Sequence, residues 1–430
     1  MAISVHLSNA RSFLDPQRLQ TNEDLARQSL EWVKTKQGIG HEWLGWWDLV
    51  EEPNDALLEQ IDVWASKIRA EADVLVVIGI GGSYLGAKAV MDALRHPFTQ
   101  QGPEILFAGH HMSDRYHADL LAYLRQPKPD GTTKSVYVNV ISKSGTTLEP
   151  ALAFRLIRSF MEDQYGAEAS QRILVTTSPN SGALNKLVEQ QGYPKFVIPD
   201  SVGGRFSVLT PVGLLPLAVC GINIQSFFYG AVDQHQRLLE NPEALLAHAA
   251  HRKSLYEAGY AIDIIATFDP ELSSMGAWLQ QLLGESEGKQ ALGLYPAVHT
   301  YSTDLHSLGQ WVQEGPRNIL ETFLSVTDPG TATTVPSDPT NDDGLNYLSG
   351  RTLKEINQIA LIGTQQAHLE GGVPIIEIQI PSLNEMHLGA FMYYFELFTA
   401  VYVYSLGVNP FDQPGVEAYK QAMFRLLGKP

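Results

Sequence analysis

Four hydroxyls and a lysine crowd into six residues at Ser142-Lys143-Ser144-Gly145-Thr146-Thr147. The segment follows the apolar run SVYVNVI and precedes LEPALAFRLIRSF, so it opens a helix. A helix N-terminus presents unpaired N–H groups and the positive end of its dipole, and both favour a phosphate. Capping alone uses one or two such side chains rather than four beside a lysine, even with Pro150 suited to the first turn. Upstream, Gly79-Ile80-Gly81-Gly82-Ser83-Tyr84-Leu85-Gly86 is a glycine-rich turn with the Ser83 hydroxyl at a helix start. It suits an anion or a sugar oxygen, and equally a plain strand–helix turn. It is not a dinucleotide fingerprint: Tyr84 stands where the third glycine belongs, and the next strand, EILFAG, ends without an acidic residue. It is not a nucleotide P-loop either, because Lys88 is one place late and Ala89 follows it.

Groups able to move protons or stabilise charge lie in further segments. Asp200-Ser201-Val202-Gly203-Gly204-Arg205-Phe206-Ser207 sets two glycines ahead of an arginine. The glycines allow close approach to a ligand, and the guanidinium stabilises developing negative charge without giving up its proton. Gly284-Glu285-Ser286-Glu287-Gly288-Lys289 puts two carboxylates on a glycine-bounded turn after a helix. Asp304-Leu305-His306-Ser307 offers an imidazole near a helix start, and the segment from Phe411 to Lys420 supplies a loop and an ammonium group. Taken singly, each also reads as a surface turn, a cap or a solvated charge.

Other reactive residues read as structural. Cys220 is a lone thiol inside GLLPLAVCGI, expected as a small buried hydrophobe, and no disulfide is possible within the chain. His248 and His251 share a helix face and read as a solvated polar face rather than a zinc pair; no metal and no cofactor are expected. Trp43, Trp46 and Trp47 read as a packing cluster joining an N-terminal arm to the body. The net charge of −17, from 30 basic and 47 acidic residues, argues against nucleic acid and makes any phosphate site a local positive spot. No basic region followed by an apolar run opens the chain, so a cytoplasmic location is expected. Residues 388–406 approach a spanning helix in length and hydropathy, but Glu396 in their middle argues for a buried core helix and no membrane.

The elements that must position these residues follow from pattern. The 430 residues, 44% hydrophobic, suit two or three domains. Residues 1–70 read as a helical, polar arm. From residue 71 to 205, short apolar strands alternate with helices near residues 84–95, 116–124 and 149–164, which predicts a parallel sheet covered on both faces. Residues 206–408 begin with helices to about 260. The strands AIDIIATF, ALGLYPA, NILETFLSV and VPIIEIQIP then form a second domain of the same type. Residues 327–346 read as an exposed loop, and residues 409–430 as a loop and a short helix.

Six segments, IGIGGSYLG, SKSGTT, DSVGGRFS, GESEGK, STDLHSLGQ and FDQPGVEAYK, resemble in the same order the active-site segments of the glucose-6-phosphate isomerase family, from about residue 73 to 420. The resemblance implies a fold of two sugar-isomerase (SIS) α/β/α domains and isomerisation of glucose 6-phosphate and fructose 6-phosphate in glycolysis and gluconeogenesis. It implies Glu285 as the base that moves a proton between C1 and C2, with Glu287 the competitor that motif position disfavours. That base is expected to be partly desolvated. It also implies His306 and Lys420 as ring-opening groups, and Arg205 as stabiliser of the enediolate. Ser142, Lys143, Ser144 and Thr147 match the phosphate loop, and Gly82, Ser83, Gly204, Gln281 and Gln413 match further substrate contacts. The family's histidine comes from the neighbouring subunit, which implies a homodimer with shared active sites. The chain departs from animal members at Gly145, where they carry an aromatic residue, and at Pro150, where they carry another threonine; it resembles the compact bacterial branch. Rival readings are a non-catalytic phosphosugar sensor, an aminosugar-phosphate isomerase and a nucleotide-binding enzyme. The joint presence of Glu285, His306 and Lys420 argues against the first, and the failed nucleotide motifs against the last.

Overall fold

Short runs of valine, isoleucine and leucine build the strands of two sheets, described in a computed structural model for residues 3–99 and 101–428. The strands are β1 (Ser4–His6), β2 (Val74–Ile78), β3 (Glu104–Ala108), β4 (Val136–Ile141), β5 (Ile173–Thr177), β6 (Lys195–Val197), β7 (Ile262–Thr267), β8 (Tyr295–Thr300), β9 (Ile319–Asp328) and β10 (Ile375–Ser382). The chain divides into two units, Gly40–His235 and Met1–Ile39 with Gln236–Pro430, so residues 1–70 fall in both. Residues 1, 2, 429 and 430 of the expected arm and C-terminal segment lie outside the described residues.

In the unit Gly40–His235 the sheet order is β3-β2-β4-β5-β6, all parallel. β2, β4 and β5 are buried at every residue, as strands covered on both faces must be. On one face Val74, Val76, Ile78, Val138 and Val140 pack with Leu120, Leu124, Phe154 and Ile157 from the helices Asp114–Arg125 and Leu148–Tyr165. Each such side chain contributes about 1.5–3 kcal/mol by leaving water. Chain order reverses between β2 and β4, and the glycine-rich turn and the hydroxyl-rich turn follow these two strands. In an open parallel sheet this switch point is where loops leave a crevice for ligand.

The other unit repeats the plan. Its order is β8-β7-β9-β10, again parallel, with β1 added antiparallel beside β10. β1 was not foreseen: three residues carry too little periodicity, and its place is fixed by pairing Ser4 to Gln379 and His6 to Glu377. The expected strand ALGLYPA lies too early. Gln290, Ala291 and Gly293 have positive φ, a turn conformation, and β8 begins only at Tyr295. The helix Glu385–Ser405 is buried along nearly its whole length, as expected of residues 388–406, and among the described residues no helix is long and apolar enough to cross a membrane. Burial pushes the Glu396 carboxyl in its middle well above the usual carboxylate range, so it sits in the core as a neutral acid.

His248 and His251 require a correction. Both are buried rather than on a solvated face. His248 stacks on Phe398 at 3.9 Å and shares a 2.9 Å hydrogen bond with Tyr394 Oη, and burial lowers it well below its ordinary value. Polar residue type suggested the surface, but the helix Glu243–Glu257 is enclosed on more than one side. Cys220 is buried, as expected.

Candidate active site

In the unit Gly40–His235, three loops converge by close backbone packing. After β2 the chain turns through Gly81–Ser83 into the helix Leu85–Leu94. A Cβ on Gly82 would stand 1.9 Å from the carbonyl oxygen of Gly204 and 2.7 Å from the backbone nitrogen of Arg205. Only glycine lets the two backbones approach so closely. The glycine-rich turn is therefore more than a strand–helix connection: it fits against the turn Gly204–Phe206 that presents Arg205. Arg205 is 3% exposed, so little water screens its charge. Its guanidinium lies over the Phe206 ring at 5.7 Å, and Ser207 Oγ donates to Gly204 O at 2.7 Å, closing the turn.

The hydroxyl-rich loop is not spent on capping. Thr147 is the N-cap of the helix Leu148–Tyr165, yet its side chain makes no capping hydrogen bond. Ser142 is buried and its Oγ accepts from Gly145 N at 3.0 Å. Ser144 is exposed, and its Oγ accepts from Thr146 N at 3.2 Å. Gly145 has φ +69°, and a Cβ there would stand 2.7 Å from Leu184 N, which explains a glycine at this position.

The Lys143 side chain reaches the segment that presents Arg205. Its Nζ donates to Asp200 O at 2.6 Å and Val202 O at 3.3 Å and lies 4.3 Å from the centre of the Trp43 ring. The ammonium is thus directed at backbone carbonyls that precede Arg205. Burial lowers the Lys143 amine, opposed by the Asp200 carboxylate. Trp43 accordingly does more than join an arm to the body: it covers this lysine, while Trp46 stacks on Phe206 at 5.3 Å. Leu44 bridges to Val202, and Gly45 N donates to Ser201 O at 3.0 Å.

The other unit carries the remaining candidates. The helix Ser273–Glu287 places Gln281 and Glu285 one turn apart on one face, and Gln281 Nε2 donates to Glu285 Oε1 at 3.4 Å. Glu285 is half-buried. Glu287 has opposite surroundings. It is fully buried, takes Arg252 Nη1 at 3.0 Å and Nη2 at 2.8 Å, and also accepts from Leu294 N at 2.9 Å and Tyr402 Oη at 3.0 Å. Arg252 Nε in turn donates to Asp263 at 2.9 Å. A carboxylate that accepts four hydrogen bonds, two of them from a buried guanidinium, is suited to holding structure rather than to carrying a proton.

His306 ends the turn Thr303–His306, is exposed, and its ring makes no hydrogen bond among the described residues. The turn is held by Asp304, whose Oδ2 accepts from Thr300 N at 2.6 Å. Lys420 stands on the helix Val416–Leu426 and pairs with Glu417 at 2.8 Å. Gln413 is exposed on the preceding loop, with Gln413 O accepting from Val416 N at 3.3 Å. The structure thus brings Gln281 to Glu285 and Gly82 to Gly204 and Arg205.

At the point of the second sheet that corresponds to the phosphate-favouring crevice, between β7 and β9, stands Asp269. Burial pushes its carboxyl up to about 6, opposed by the Val326 N–H that it accepts at 3.1 Å. A carboxylate there disfavours phosphate at this point of the second sheet. Sequence reasoning missed Arg252, Tyr402 and Trp43 as supports, because their roles come from contacts across 35 or more residues. Among the described residues no group of three or more acidic, histidine or cysteine side chains could hold a metal ion.

The profile of one family, Phosphoglucose isomerase, matches residues 55–311. A glucose-6-phosphate isomerase from Caldanaerobacter subterraneus subsp. tengcongensis is 47% identical over 441 aligned residues, covering 100% of this chain and 96% of that protein. Among solved structures, a hypothetical protein from Thermus thermophilus superposes with a TM-score of 0.88 at 27% identity, covering 99% of both chains. A glucose-6-phosphate isomerase from Chlamydia trachomatis shares the fold with a TM-score of 0.80 at 21% identity, covering 99% of this chain and 88% of that one.

Proposed function

The chain belongs to the phosphoglucose isomerase family, and on that footing we propose that it interconverts glucose 6-phosphate and fructose 6-phosphate through a cis-enediolate with Glu285 as the single base. The observation that carries the assignment is the contrast between neighbouring carboxylates. Glu287 is locked by Arg252, Leu294 and Tyr402, while Glu285 is half-buried beside Gln281.

The chemistry needs one carboxylate held over one face of the reacting carbons. In the forward direction Glu285 takes the C2 proton of the open-chain aldose. The C–H electron pair becomes the C1–C2 double bond, and the carbonyl pair moves onto O1. Arg205 stabilises that negative charge, and its burial makes the interaction strong. After a proton passes between O2 and O1, Glu285 returns its proton to C1 and O2 becomes the ketone. Opening of the closed sugar ring calls for an acid and a base at the ring oxygen and the C1 hydroxyl, roles assigned to His306 and Lys420. Ser142, Lys143, Ser144 and Thr147 of the hydroxyl-rich loop hold the phosphate, a non-reacting end whose binding positions C1 and C2. Gly82, Ser83, Gly204, Gln281 and Gln413 complete the contacts.

His306 is assigned to the site of a neighbouring subunit. Its exposure, beside the half-exposed apolar side chains of Leu308 and Trp311, supports a homodimer. A cytoplasmic location accords with a substrate of central sugar metabolism. The test of the base is steady-state kinetics of Glu285→Gln. It should keep KM within a few-fold and lose about 10³-fold or more in kcat. Wild-type turnover in that variant would place the base elsewhere.

A further inference from the structure

The buried strand β5 ends in Thr176 and Thr177, after Ile173, Leu174 and Val175. Valine would suit either place in a strand covered on both faces, and a hydroxyl enclosed there must find a partner. Thr176 Oγ1 donates to Asn139 Oδ1 of β4 at 3.0 Å, within the sheet. Thr177, on the opposite face, reaches out of the sheet. Its Oγ1 donates to Ser142 O at 2.8 Å and lies 3.3 Å from Lys143 O. Thr177 is fully buried, and its backbone is fixed by pairing with Val197 of β6 and by Ile198 N, which donates to Thr177 O at 2.7 Å.

A third carbonyl of the hydroxyl-rich loop is gripped from the same side. Ala183 N, at the start of the helix Ala183–Gln191, donates to Ser144 O at 3.2 Å. Gly182, at φ +94°, packs so closely that a Cβ would stand 2.6 Å from Ser144 O. Buried Asn185 braces this turn: its Nδ2 donates to Ser178 O at 3.0 Å and to Ser181 O. The carbonyls of Ser142, Lys143 and Ser144 are thus all held toward β5 and the turn that follows it. In a trans peptide the N–H of the next residue points opposite to the carbonyl, so the N–H groups of Lys143, Ser144 and Gly145 are turned to the other side. Gly145 N donates to Ser142 Oγ. The N–H groups of Lys143 and Ser144 face away from the β5 turn, as a cradle built from successive N–H groups requires.

We propose that Thr177 is a positioning residue for phosphate: its hydroxyl, shut off from solvent, holds Ser142 O and Lys143 O and so sets the direction of the N–H groups that receive the anion. This rests on the reading of residues 142–147 as the phosphate loop.

The test uses the full-length enzyme, with fructose 6-phosphate as substrate and inorganic phosphate as a competing anion. Thr177→Val keeps the shape of the side chain and removes the donor. KM for fructose 6-phosphate and Ki for inorganic phosphate should rise together by about fivefold or more, with kcat changed less than about threefold. Thr177→Ser, which restores the hydroxyl, should return both constants to within about twofold of wild type. If Thr177→Val does not fold, Thr177→Ala removes the same donor and should show the same paired shift. With Ser144→Ala and Thr147→Ala raising the Ki, a wild-type Ki in the folded Thr177 variant, or a loss confined to kcat, would overturn the inference alone. A wild-type Ki in both Ser144→Ala and Thr147→Ala would overturn the phosphate reading of the loop, and this inference with it.

Discussion

Glu285 and Glu287 are two residues apart, of one type, and opposite in surroundings, which motif position could suggest but not explain. The buried ion pair with Arg252 makes the difference, and no sequence pattern predicts a partner 35 residues away. Lys143 is a second case: its side chain is long enough to donate to Asp200 O, 57 residues on, a contact that residue type and spacing do not show. Asp269 carries no pattern that marks it in the sequence, yet burial holds its proton to about 6 against a usual 3.8. Between those values the folded chain binds more protons than the unfolded one, so stability falls as pH rises through that window. Asp269→Asn should flatten urea-unfolding stability between about pH 4 and 6 and raise it at pH 7 by up to about 3 kcal/mol. An unchanged pH slope would show that the carboxyl is not desolvated.

At the scale of elements, alternating apolar runs and helices made the parallel sheets legible, since fully buried strands read as unbroken runs of valine and isoleucine. Less legible were β1, whose three residues gain their place only by pairing with β10, and β8, displaced by a turn at Gln290 and Ala291. The end of the helix Ser273–Glu287 depends on Arg252, which is paired at once to Glu287 and Asp263. Arg252→Met would leave two carboxylates buried without their partner. It should cost about 3–5 kcal/mol in urea unfolding. A cost under about 1 kcal/mol would mean that water or another cation reaches this site.

For the whole molecule, the two sheets share one order over four parallel strands, β3-β2-β4-β5 and β8-β7-β9-β10. That repetition is visible in the sequence as two rounds of strand and helix, whereas β1, which completes the second sheet from the opposite end of the chain, is not. The assembly also has a functional test. If each site combines Glu285 of one subunit with His306 of its neighbour, then mixing Glu285→Gln with His306→Ala subunits rebuilds one intact site per mixed dimer. Activity should return to about a quarter of the wild-type level after subunit exchange. No recovery, with mixed dimers verified by mass, would place both residues of a site in one chain.

The central claim, that one carboxylate carries the proton, is tested most directly by the fate of the hydrogen at C2. Glucose 6-phosphate labelled with deuterium at C2 should lose label to water, and pass part of it to C1 of fructose 6-phosphate, in the wild-type protein. Both processes should fall together by about 10³-fold in Glu285→Gln. Loss of the C2 label at the wild-type rate in that variant would contradict the account.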